Sequence, residues 1–495
     1  MCKVNKFFAI LSPLSLFCYI FLRFISVSRF MSLSLANMIV STAIDSLDFE
    51  LLPAQRSLLY AAAEFAAAAA PRDVFLLNGY AGTGKTSLVG ALIHALTSLR
   101  RRVVLLAPTG RAAKVASAFA QIPASTIHHH ILRPDFSNPS SGIWHVARNI
   151  ASDTLYVVDE ASLINDSPSG SANILASLVA FVYSAPGCHL MLVGDEAQLP
   201  PVGQLSSSAM DPDRLRRLGL NPICFSLDLP VRQAADSGIV LNATIVRSCL
   251  EAPPAEGVPT LKLSGMNDIQ AISSSDLADA LTDSYAQVGM DDTIIITRSN
   301  RRANDFNRAV RNMVLFAEEP LERGDRVVVS KNDYYWGRKN KTAGLIANGD
   351  AAEVTWVGKT EKVYGRYFTE VELSLSDGSI LSAKVMLRSL VCEGPSIPAD
   401  EMDRFRNVVM AACEGEVSQR LAALSDDPYY NALQVKYAYC VTCHKAQGGQ
   451  WRHVYIDMGG ITPDSMGTDF YRWLYTAITR ASEKVFLINP TILIS

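Results

Sequence analysis

The sequence predicts an α/β protein with two parallel sheets and a small antiparallel barrel inserted into the second α/β unit. Two observations carry this prediction. Apolar runs of strand length recur between helical stretches in two separate series along the chain. Within the second series lie short runs of alternating polarity with a hairpin turn at Asn348-Gly349-Asp350, a pattern typical of antiparallel strands.

The first series occupies the N-terminal part of the chain. A helix rich in alanine and leucine is expected from Pro53 to Ala70, where Pro71 ends it. The apolar runs that follow are expected to form a parallel sheet covered on both faces, with strands at residues 74–77, 103–107, 155–158 and 190–193. The second series is expected to supply strands at residues 293–297, 454–456 and 484–488.

The predicted barrel interrupts this second series. Its strands are expected at residues 326–330, 353–357, 369–375 and 380–385, and a polar helical segment follows to about Leu424. The resulting division of the chain is residues 1–40 as an apolar leader, 41–235 as the first α/β domain with a short insertion at about 129–150, 236–323 and 431–495 as the two parts of the second α/β domain, and 324–430 as the barrel with its helical segment.

Charge and composition restrict the partners and the compartment. The 495 residues carry a formal net charge of −3, so a nucleic acid has to be bound in a local groove rather than by an overall positive field. The nine cysteines form no framework, which favours a reducing, cytoplasmic location. Residues 7–22 are uncharged but shorter than the roughly 20 residues that span a bilayer. An over-extended start before Met31 or Met38 is the leading interpretation of this leader, with no firm membrane partner; an anchor or targeting segment is the alternative.

A phosphate-binding loop follows the first predicted strand. Residues 79–86 read G-Y-A-G-T-G-K-T, which matches G-x-x-x-x-G-K-[ST] between a strand and a helix. Backbone N–H groups of such a loop bind phosphate oxygens, Lys85 reaches the terminal phosphates, and the Thr86 hydroxyl ligates Mg²⁺. The sequence therefore predicts a nucleoside triphosphate site that contains Gly79, Ala81, Gly82, Thr83, Gly84, Lys85, Thr86 and Ser87.

Three polar residues are expected beside this loop. Asp159 and Glu160 follow a buried strand, at the edge where open parallel sheets bind their ligands. Asp159 is expected to hold Mg²⁺, and Glu160 to polarise the attacking water. Gln198 follows the strand at 190–193, within G-D-E-A-Q-L-P-P-V-G at residues 194–203, and its amide is expected to sense the γ-phosphate.

Further motifs occur in a fixed order along the chain. They are A-P-T-G-R-A-A at 107–113, T-I-H at 126–128, L-P-V-R-Q at 229–233, T-C-H-K-A-Q-G at 442–448 and Y-T-A-I-T-R-A at 475–481. With the segment at 194–203, they make nearly the whole chain after about residue 45 resemble superfamily 1 DNA helicases of the RecD-like and Dda-like branch. This resemblance implies a P-loop, AAA-type ATPase with two RecA-like domains, an SH3-like inserted barrel and a UvrD-like C-terminal helicase domain.

The resemblance also implies activity, cofactors and partners. It implies ATP and Mg²⁺ as cofactors, and an ATP hydrolase that moves 5′ to 3′ on single-stranded DNA or at single/double-strand junctions, with roles in DNA repair or recombination. Two other interpretations stay open: the motor subunit of a helicase–nuclease complex, with a nuclease or repair protein as partner, and an ATP-gated nucleic-acid clamp that does not unwind.

Individual roles follow from the same resemblance. Gln55 corresponds to an adenine-reading glutamine, and Arg232 and Arg480 to arginine fingers directed at the γ-phosphate. The implied DNA contacts are Pro108, Thr109, Thr126, His128, Arg298, Asn300, Thr442 and His444. The chain departs from the family pattern at Ala446, where serine is usual, and in the shortness of residues 129–149, where Trp144 would be the wedge. These departures weaken the prediction of duplex unwinding more than that of translocation.

Two further patterns allow two interpretations each. Residues 331–341 interleave aromatic and basic side chains, so Tyr335 and Trp336 would either stack on DNA bases or form part of the barrel core. Residues 440–444 spell C-x-x-C-H, the pattern of c-type haem attachment, but they overlap the helicase motif at 442–448, which is the favoured interpretation.

Overall fold

The computed structural model describes residues 32–134, 144–166, 173–229, 237–254, 259–340, 346–375, 378–462, 466–490 and 493–494. Residues 1–31 of the predicted leader lie outside the described residues, as does Arg232. Within the described residues, no helix combines the length and the apolar character that a bilayer crossing requires.

The first domain is a parallel sheet with helices on both faces. Its strands run in the order β3-β2-β6-β7-β1-β8, and all pairings are parallel. The elements are α1 (residues 32–45), α2 (Pro53–Ala68), β1 (Asp73–Gly79), α3 (Lys85–Ser98), β2 (Arg102–Ala107), α4 (Gly110–Ala120), β3 (Ala124–Thr126), α5 (Ile127–Ile131), β4 (Leu132–Pro134), β5 (Trp144–Val146), β6 (Thr154–Val158), a 3₁₀ turn (Ala161–Leu163), α6 (Ile174–Val182), β7 (His189–Gly194), α7 (Pro212–Arg217) and β8 (Asn221–Leu227).

The central strands of this sheet are buried on both sides, as their continuous apolar sequences require. In β1, Phe75 and Leu77 pack into one core with α2 and α3, whereas Val74 and Leu76 pack into a second core with α6. The predicted insertion at 129–150 contains the antiparallel pair β4–β5, and the side chain of Trp144 lies outside the described residues.

Helix α1 corrects the predicted start of the first domain at residue 41. Ala36, Ile39, Val40 and Ala43 are buried in the same core as α2 and α3. Their spacing of three, one and three residues places them on one face of a helix. The same period was present in the sequence, but the apolar leader before it concealed where the globular part begins.

The second domain begins with α8 (Gly238–Glu251), β9 (Thr260–Leu261), β10 (Ile269–Ile272), α9 (Leu277–Val288), β11 (Thr293–Thr297) and α10 (Asn300–Met313). After the insert it resumes with β18 (Cys440–Thr442), α15 (Cys443–Ala446), β19 (Trp451–Asp457), α16 (Thr468–Ile478), β20 (Ala481–Ile488) and β21 (Leu493–Ile494). Its sheet has the order β10-β20-β19-β11-β18 and is parallel throughout, which confirms the predicted fold class of two parallel-sheet α/β domains. A separate pair joins β9 to β21.

The insert contains β12 (Arg326–Val329), α11 (Tyr335–Lys339), β13 (Ala351–Val357), β14 (Glu361–Val363), β15 (Arg366–Leu375), β16 (Ile380–Met386), α12 (Arg388–Val391), α13 (Ala399–Ala412), α14 (Val417–Asp426) and β17 (Val435–Tyr437). Its strands pair antiparallel, as predicted. The sheet curls on itself, because the N–H of Met386 donates to the Leu433 carbonyl and the N–H of Leu433 donates to the Lys384 carbonyl. Strand β17 pairs with β12, so the insert extends beyond the predicted boundary at 430. Its likeness to an SH3 domain stays a prediction.

A buried polar cluster lies where the chain enters and leaves the insert. We call Arg311, Asp325, Tyr437 and Tyr439 the insert root. The Arg311 guanidinium donates to both Asp325 oxygens, at 2.9 and 3.0 Å, and to the Tyr437 hydroxyl at 3.2 Å. The Tyr439 hydroxyl donates to Asp325 at 2.8 Å. The insert root therefore joins α10, the segment before β12, β17 and the chain just after β17 by hydrogen bonds.

Candidate active site between the two α/β domains

The phosphate-binding loop connects β1 to α3, as the sequence predicts. Gly82 and Gly84 have φ angles of 74° and 77°, a left-handed conformation that residues with a Cβ adopt only at a cost. Lys85 lies across the loop, and its Nζ donates to the carbonyls of Gly79 and Gly194, each at 2.9 Å. The ammonium group therefore lies between the carboxyl ends of β1 and β7.

The Gln55 side chain is hydrogen-bonded to the backbone of the phosphate-binding loop. Its Nε2 donates to the Thr83 carbonyl at 2.9 Å, and its Oε1 accepts from the Leu52 N–H at 3.0 Å. The side chain is buried, so in this structure the amide supports the loop backbone. Its predicted role in reading adenine stays a prediction that requires one of these hydrogen bonds to be exchanged.

Two carboxylates follow β6 and lie at the same sheet edge as the loop. Burial, reinforced by the neighbouring Glu160, raises the pKa of Asp159 to about 6, and Lys85 opposes this shift. Asp159 accepts a hydrogen bond from the N–H of Glu160 at 3.0 Å. Glu160 itself has a φ of 52°, an uncommon conformation for a residue with a side chain, and one that is found often at functional sites.

Orphaned polar atoms surround the space beside these carboxylates. Among the described residues, Glu160 Oε2 and Gln198 Oε1 are buried and have no hydrogen-bond partner. Buried polar atoms are normally paired, so these two indicate a polar ligand or water in this space. They lie on a cavity of about 390 Å³ whose lining includes the loop, Asp159, Glu160, Gln198 and Arg480.

This cavity fits the predicted ligands. Its lining brings together the N-terminus of α3, Lys85, Thr86 and Asp159, which are the donor and acceptor types that a triphosphate with Mg²⁺ requires. Thr86 and Asp159 would hold the metal. The predicted nucleotide-binding residues Gly82, Gly84 and Ser87 also line the cavity, with Ala81.

The second domain supplies the opposite wall of the cavity. Arg480 follows α16, and its Nη1 lies 3.7 Å from Glu160 Oε1. The other contacts of its guanidinium are made within its own domain, to the carbonyls of Thr476 and Gly449 and to the Thr479 hydroxyl. The Arg480 guanidinium therefore faces the Glu160 carboxylate across the cavity, and its role as an arginine finger stays a prediction. The second predicted finger, Arg232, lies outside the described residues.

Three residues that sequence reasoning left without a role bind the first domain from the second. The Tyr475 hydroxyl accepts from the Ala81 N–H at 2.9 Å and donates to Asp195 at 2.7 Å. Thr476 and Gln447 hold the Leu199 N–H and carbonyl, at 2.9 and 2.6 Å. All three lie in the motifs at 442–448 and 475–481, so the position of these motifs in the sequence is the signal that marks them.

The predicted DNA contacts of motifs at 107–113 and 442–448 meet at the domain boundary. Thr109 caps α4 by accepting from the Ala112 N–H at 3.2 Å, and a Cβ placed on Gly448 would lie 3.3 Å from the Thr109 hydroxyl. Thr126 caps α5 in the same way, through His129 at 3.2 Å. His128, Arg298 and His444 are exposed, Pro108 and Asn300 are half-buried, and Thr442 is buried.

Tyr335 and Trp336 do not form an exposed stacking surface. The Tyr335 ring is only 5% exposed and its hydroxyl donates to the Asp426 carbonyl at 2.9 Å. The Trp336 indole N–H donates to the Asn431 carbonyl at 2.9 Å. Both side chains therefore connect α11 to the end of α14 and the segment that follows it, which corrects the predicted DNA contact in favour of the core interpretation. The neighbouring Tyr334 is 40% exposed.

Comparisons with known proteins divide the chain in the same way. Residues 54–211 match the AAA domain family, and residues 437–488 match the UvrD-like helicase C-terminal domain family. The chain is 29% identical over 292 residues to the ATP-dependent RecD2 DNA helicase of Deinococcus radiodurans, across 57% of this chain and 37% of that protein. It thus spans little more than a third of the length of that relative.

Two other similarities extend over more of the chain. An uncharacterised protein of Acanthamoeba polyphaga mimivirus is 22% identical over 486 residues, which covers 84% of this chain and 95% of that protein. Among solved structures, a Bacteroides Pif1 helicase in complex with ADP-AlF3 and single-stranded DNA has a TM-score of 0.45 and 14% identity, over 90% of this chain and 94% of that chain.

Proposed function

We propose that this chain, a relative of the superfamily 1 helicases in both its AAA-type core and its UvrD-like C-terminal part, is an ATP-driven DNA helicase or translocase. It would couple hydrolysis in the interdomain cavity to movement on single-stranded DNA or at single/double-strand junctions, and by resemblance the direction is 5′ to 3′.

One observation carries the proposal: a carboxylate of the first domain faces an arginine of the second across the cavity. Glu160 and Arg480 approach to 3.7 Å beside the phosphate-binding loop. Phosphoryl transfer is accelerated mainly by positioning and by positive charge placed where negative charge develops. A site divided between two domains can do this only when the domains are close, so hydrolysis depends on domain closure.

The residues of the first domain have distinct tasks in this proposal. Lys85 would exchange its two carbonyl partners for the terminal phosphates. The unpaired Oε2 of Glu160 would accept a hydrogen bond from the attacking water, and the unpaired Oε1 of Gln198 would hold that water or sense its position. Thr86 and Asp159 would hold Mg²⁺, which would supply positive charge beside the phosphates.

Contacts at the domain boundary support the coupling to DNA. Thr109 in the first domain and Gly448 in the second are neighbours, and both belong to motifs that the resemblance assigns to DNA. A change in the angle between the domains therefore changes the spacing of two predicted DNA contacts. Such a change, repeated with each ATP, would move the domains along a strand.

The decisive experiment is ATP hydrolysis with and without single-stranded DNA, with Lys85→Ala as the blank. We expect DNA to stimulate hydrolysis at least tenfold in the wild-type protein and Lys85→Ala to be inactive in both conditions. Hydrolysis that is indifferent to DNA would contradict the motor and favour an ATPase with another trigger. Nucleotide-dependent DNA binding without turnover would favour the clamp.

A further inference from the structure

Tyr475 lies in the second domain, but its hydroxyl group contacts the phosphate-binding loop of the first domain. It lies on α16 and is 1% exposed. Its hydroxyl accepts a hydrogen bond from the Ala81 N–H at 2.9 Å and donates one to Asp195 Oδ2 at 2.7 Å. A tyrosine hydroxyl has one proton to donate, so these two bonds fix its orientation. Burial also raises the pKa of Tyr475 well above its ordinary value, which keeps the hydroxyl a donor.

We propose that Tyr475 is a positioning residue, which aligns Arg480 with the phosphate-binding loop when the two domains close. This inference rests on the proposed function, because it concerns the same hydrolysis site. Tyr475 acts through Arg480 and the loop and does not itself contact the reacting groups.

The contacts of Arg480 explain why such a residue is required. Its guanidinium is held by groups of its own domain, and in the part of the chain that the structure describes its ion pair with the first domain is to Glu160, at 3.7 Å. This ion pair is too long for a hydrogen bond and does not fix an orientation. The position of Arg480 relative to the loop is therefore set by the position of α16. The Tyr475 hydroxyl holds α16 to the loop by one hydrogen bond, from the Ala81 N–H, and to Asp195, just after β7, by a second.

Other residues of α16 also contact the first domain. Thr476, the next residue on α16, accepts from the Leu199 N–H at 2.9 Å, and the Arg472 guanidinium lies 3.5 Å from the Gln198 carbonyl. Asp195, the acceptor for Tyr475, also accepts from the Ala197 N–H at 3.0 Å. One face of α16 therefore binds the segment that carries Gln198, and Tyr475 connects this face to the phosphate-binding loop by a hydrogen bond.

The test removes the hydroxyl and leaves the ring. Tyr475→Phe keeps the buried shape but deprives the Ala81 N–H and Asp195 of their partner. The matched control is Tyr455→Phe, in β19 of the same domain. That side chain is equally buried, and its hydroxyl donates to the Ala280 carbonyl at 2.6 Å, within the second domain.

Two measurements decide the outcome. The first is kcat at saturating ATP and single-stranded DNA, together with Kd for a non-hydrolysable ATP analogue. We expect Tyr475→Phe to lower kcat about tenfold, equivalent to about 1.4 kcal/mol of activation free energy, with Kd within twofold of wild type. Tyr455→Phe should leave both within twofold. A kcat within twofold of wild type, a matching loss of analogue affinity, or an equal effect of Tyr455→Phe would overturn the inference.

The second measurement needs no hydrolysis. Amide hydrogen exchange of residues 79–86 without nucleotide should be faster in Tyr475→Phe than in wild type and in Tyr455→Phe, because the Ala81 N–H has lost its acceptor. Unchanged exchange would overturn the inference even if kcat falls. If the wild-type protein does not hydrolyse ATP at all, the proposed function fails, and the exchange experiment still decides whether Tyr475 holds the loop.

Discussion

The interdomain cavity and the insert root are both buried and polar, yet they differ in how completely their groups are paired. At the insert root, Arg311 donates to both oxygens of Asp325 and also to the Tyr437 hydroxyl and the Glu319 carbonyl. In the cavity, Glu160 and Gln198 each keep a buried oxygen without a partner among the described residues.

This difference indicates that the insert root is a fixed joint with one geometry, whereas the boundary between the two α/β domains can change its geometry. A fully paired buried network strongly favours one geometry, because any displacement leaves a polar group unsatisfied at a cost of about 1–3 kcal/mol. Unpaired atoms in the cavity carry such a cost until a ligand or a domain movement supplies the partner. We therefore expect the insert to move as one body with the second domain, and the two α/β domains to move relative to each other.

The largest effect on the comparison is expected from Arg311→Met at the insert root. Removing one member of a buried ion pair leaves Asp325 uncompensated, which should lower the free energy of unfolding by about 3–5 kcal/mol. Urea denaturation measures this loss. Arg308→Met is the control, because its ion pair with Asp305 is exposed and should contribute at most about 1 kcal/mol. Equal stability of the two variants would mean that the insert root is not a fixed joint.

Glu160→Gln tests the cavity through catalytic activity, whereas Arg311→Met tests the insert root through stability. The amide keeps the shape of the side chain but is a far weaker base, so kcat for ATP hydrolysis should fall at least about 100-fold, or about 2.7 kcal/mol, while nucleotide binding is retained. Glu196→Gln, an exposed carboxylate just after β7, should stay within twofold of wild type. Normal turnover in Glu160→Gln would remove Glu160 from its catalytic role.

The smallest expected effect concerns the exposed surface of the insert, which the insert root holds to the second domain. Because Tyr335 and Trp336 are engaged in the insert, Tyr334 is the exposed aromatic side chain of that segment. If the insert contacts DNA there, Tyr334→Ala should weaken binding of single-stranded DNA about fivefold, or about 1 kcal/mol, a value at the low end for base stacking. Fluorescence anisotropy measures this change, with the exposed Trp356→Ala as control. An equal loss in both variants would argue against a specific contact at Tyr334.

Local patterns allowed much of this architecture to be predicted. The phosphate-binding loop and the long buried strands depend on neighbours in sequence, so residues 79–86, 154–158 and 189–194 were found in nearly their observed positions. Helix α1 has the same kind of local period, but the apolar residues before it and the methionines at 31 and 38 place the predicted boundary at residue 41.

Contacts between distant segments could not be predicted in this way. Tyr475 and Ala81 are 394 positions apart, and nothing in either segment specifies that one hydroxyl joins them. The buried state of Tyr335 has the same origin, because its partner Asp426 belongs to a later helix. Both depend on how complete domains pack, which one sequence read locally does not contain.

The adjacency of β12 and β17 has a consequence for the order of folding. In the second α/β domain, β11 must pair with β18, with the whole insert between them. Closing so long a loop from an unfolded chain is entropically unfavourable and becomes more so with length. Val327 and Tyr437 face each other in the insert sheet, so folding of the insert brings its two ends together. The insert then acts as an intramolecular template: once it has folded, the connection from β11 to β18 is in effect reduced to α10 and its flanking segments, the kind of crossover that parallel strands require.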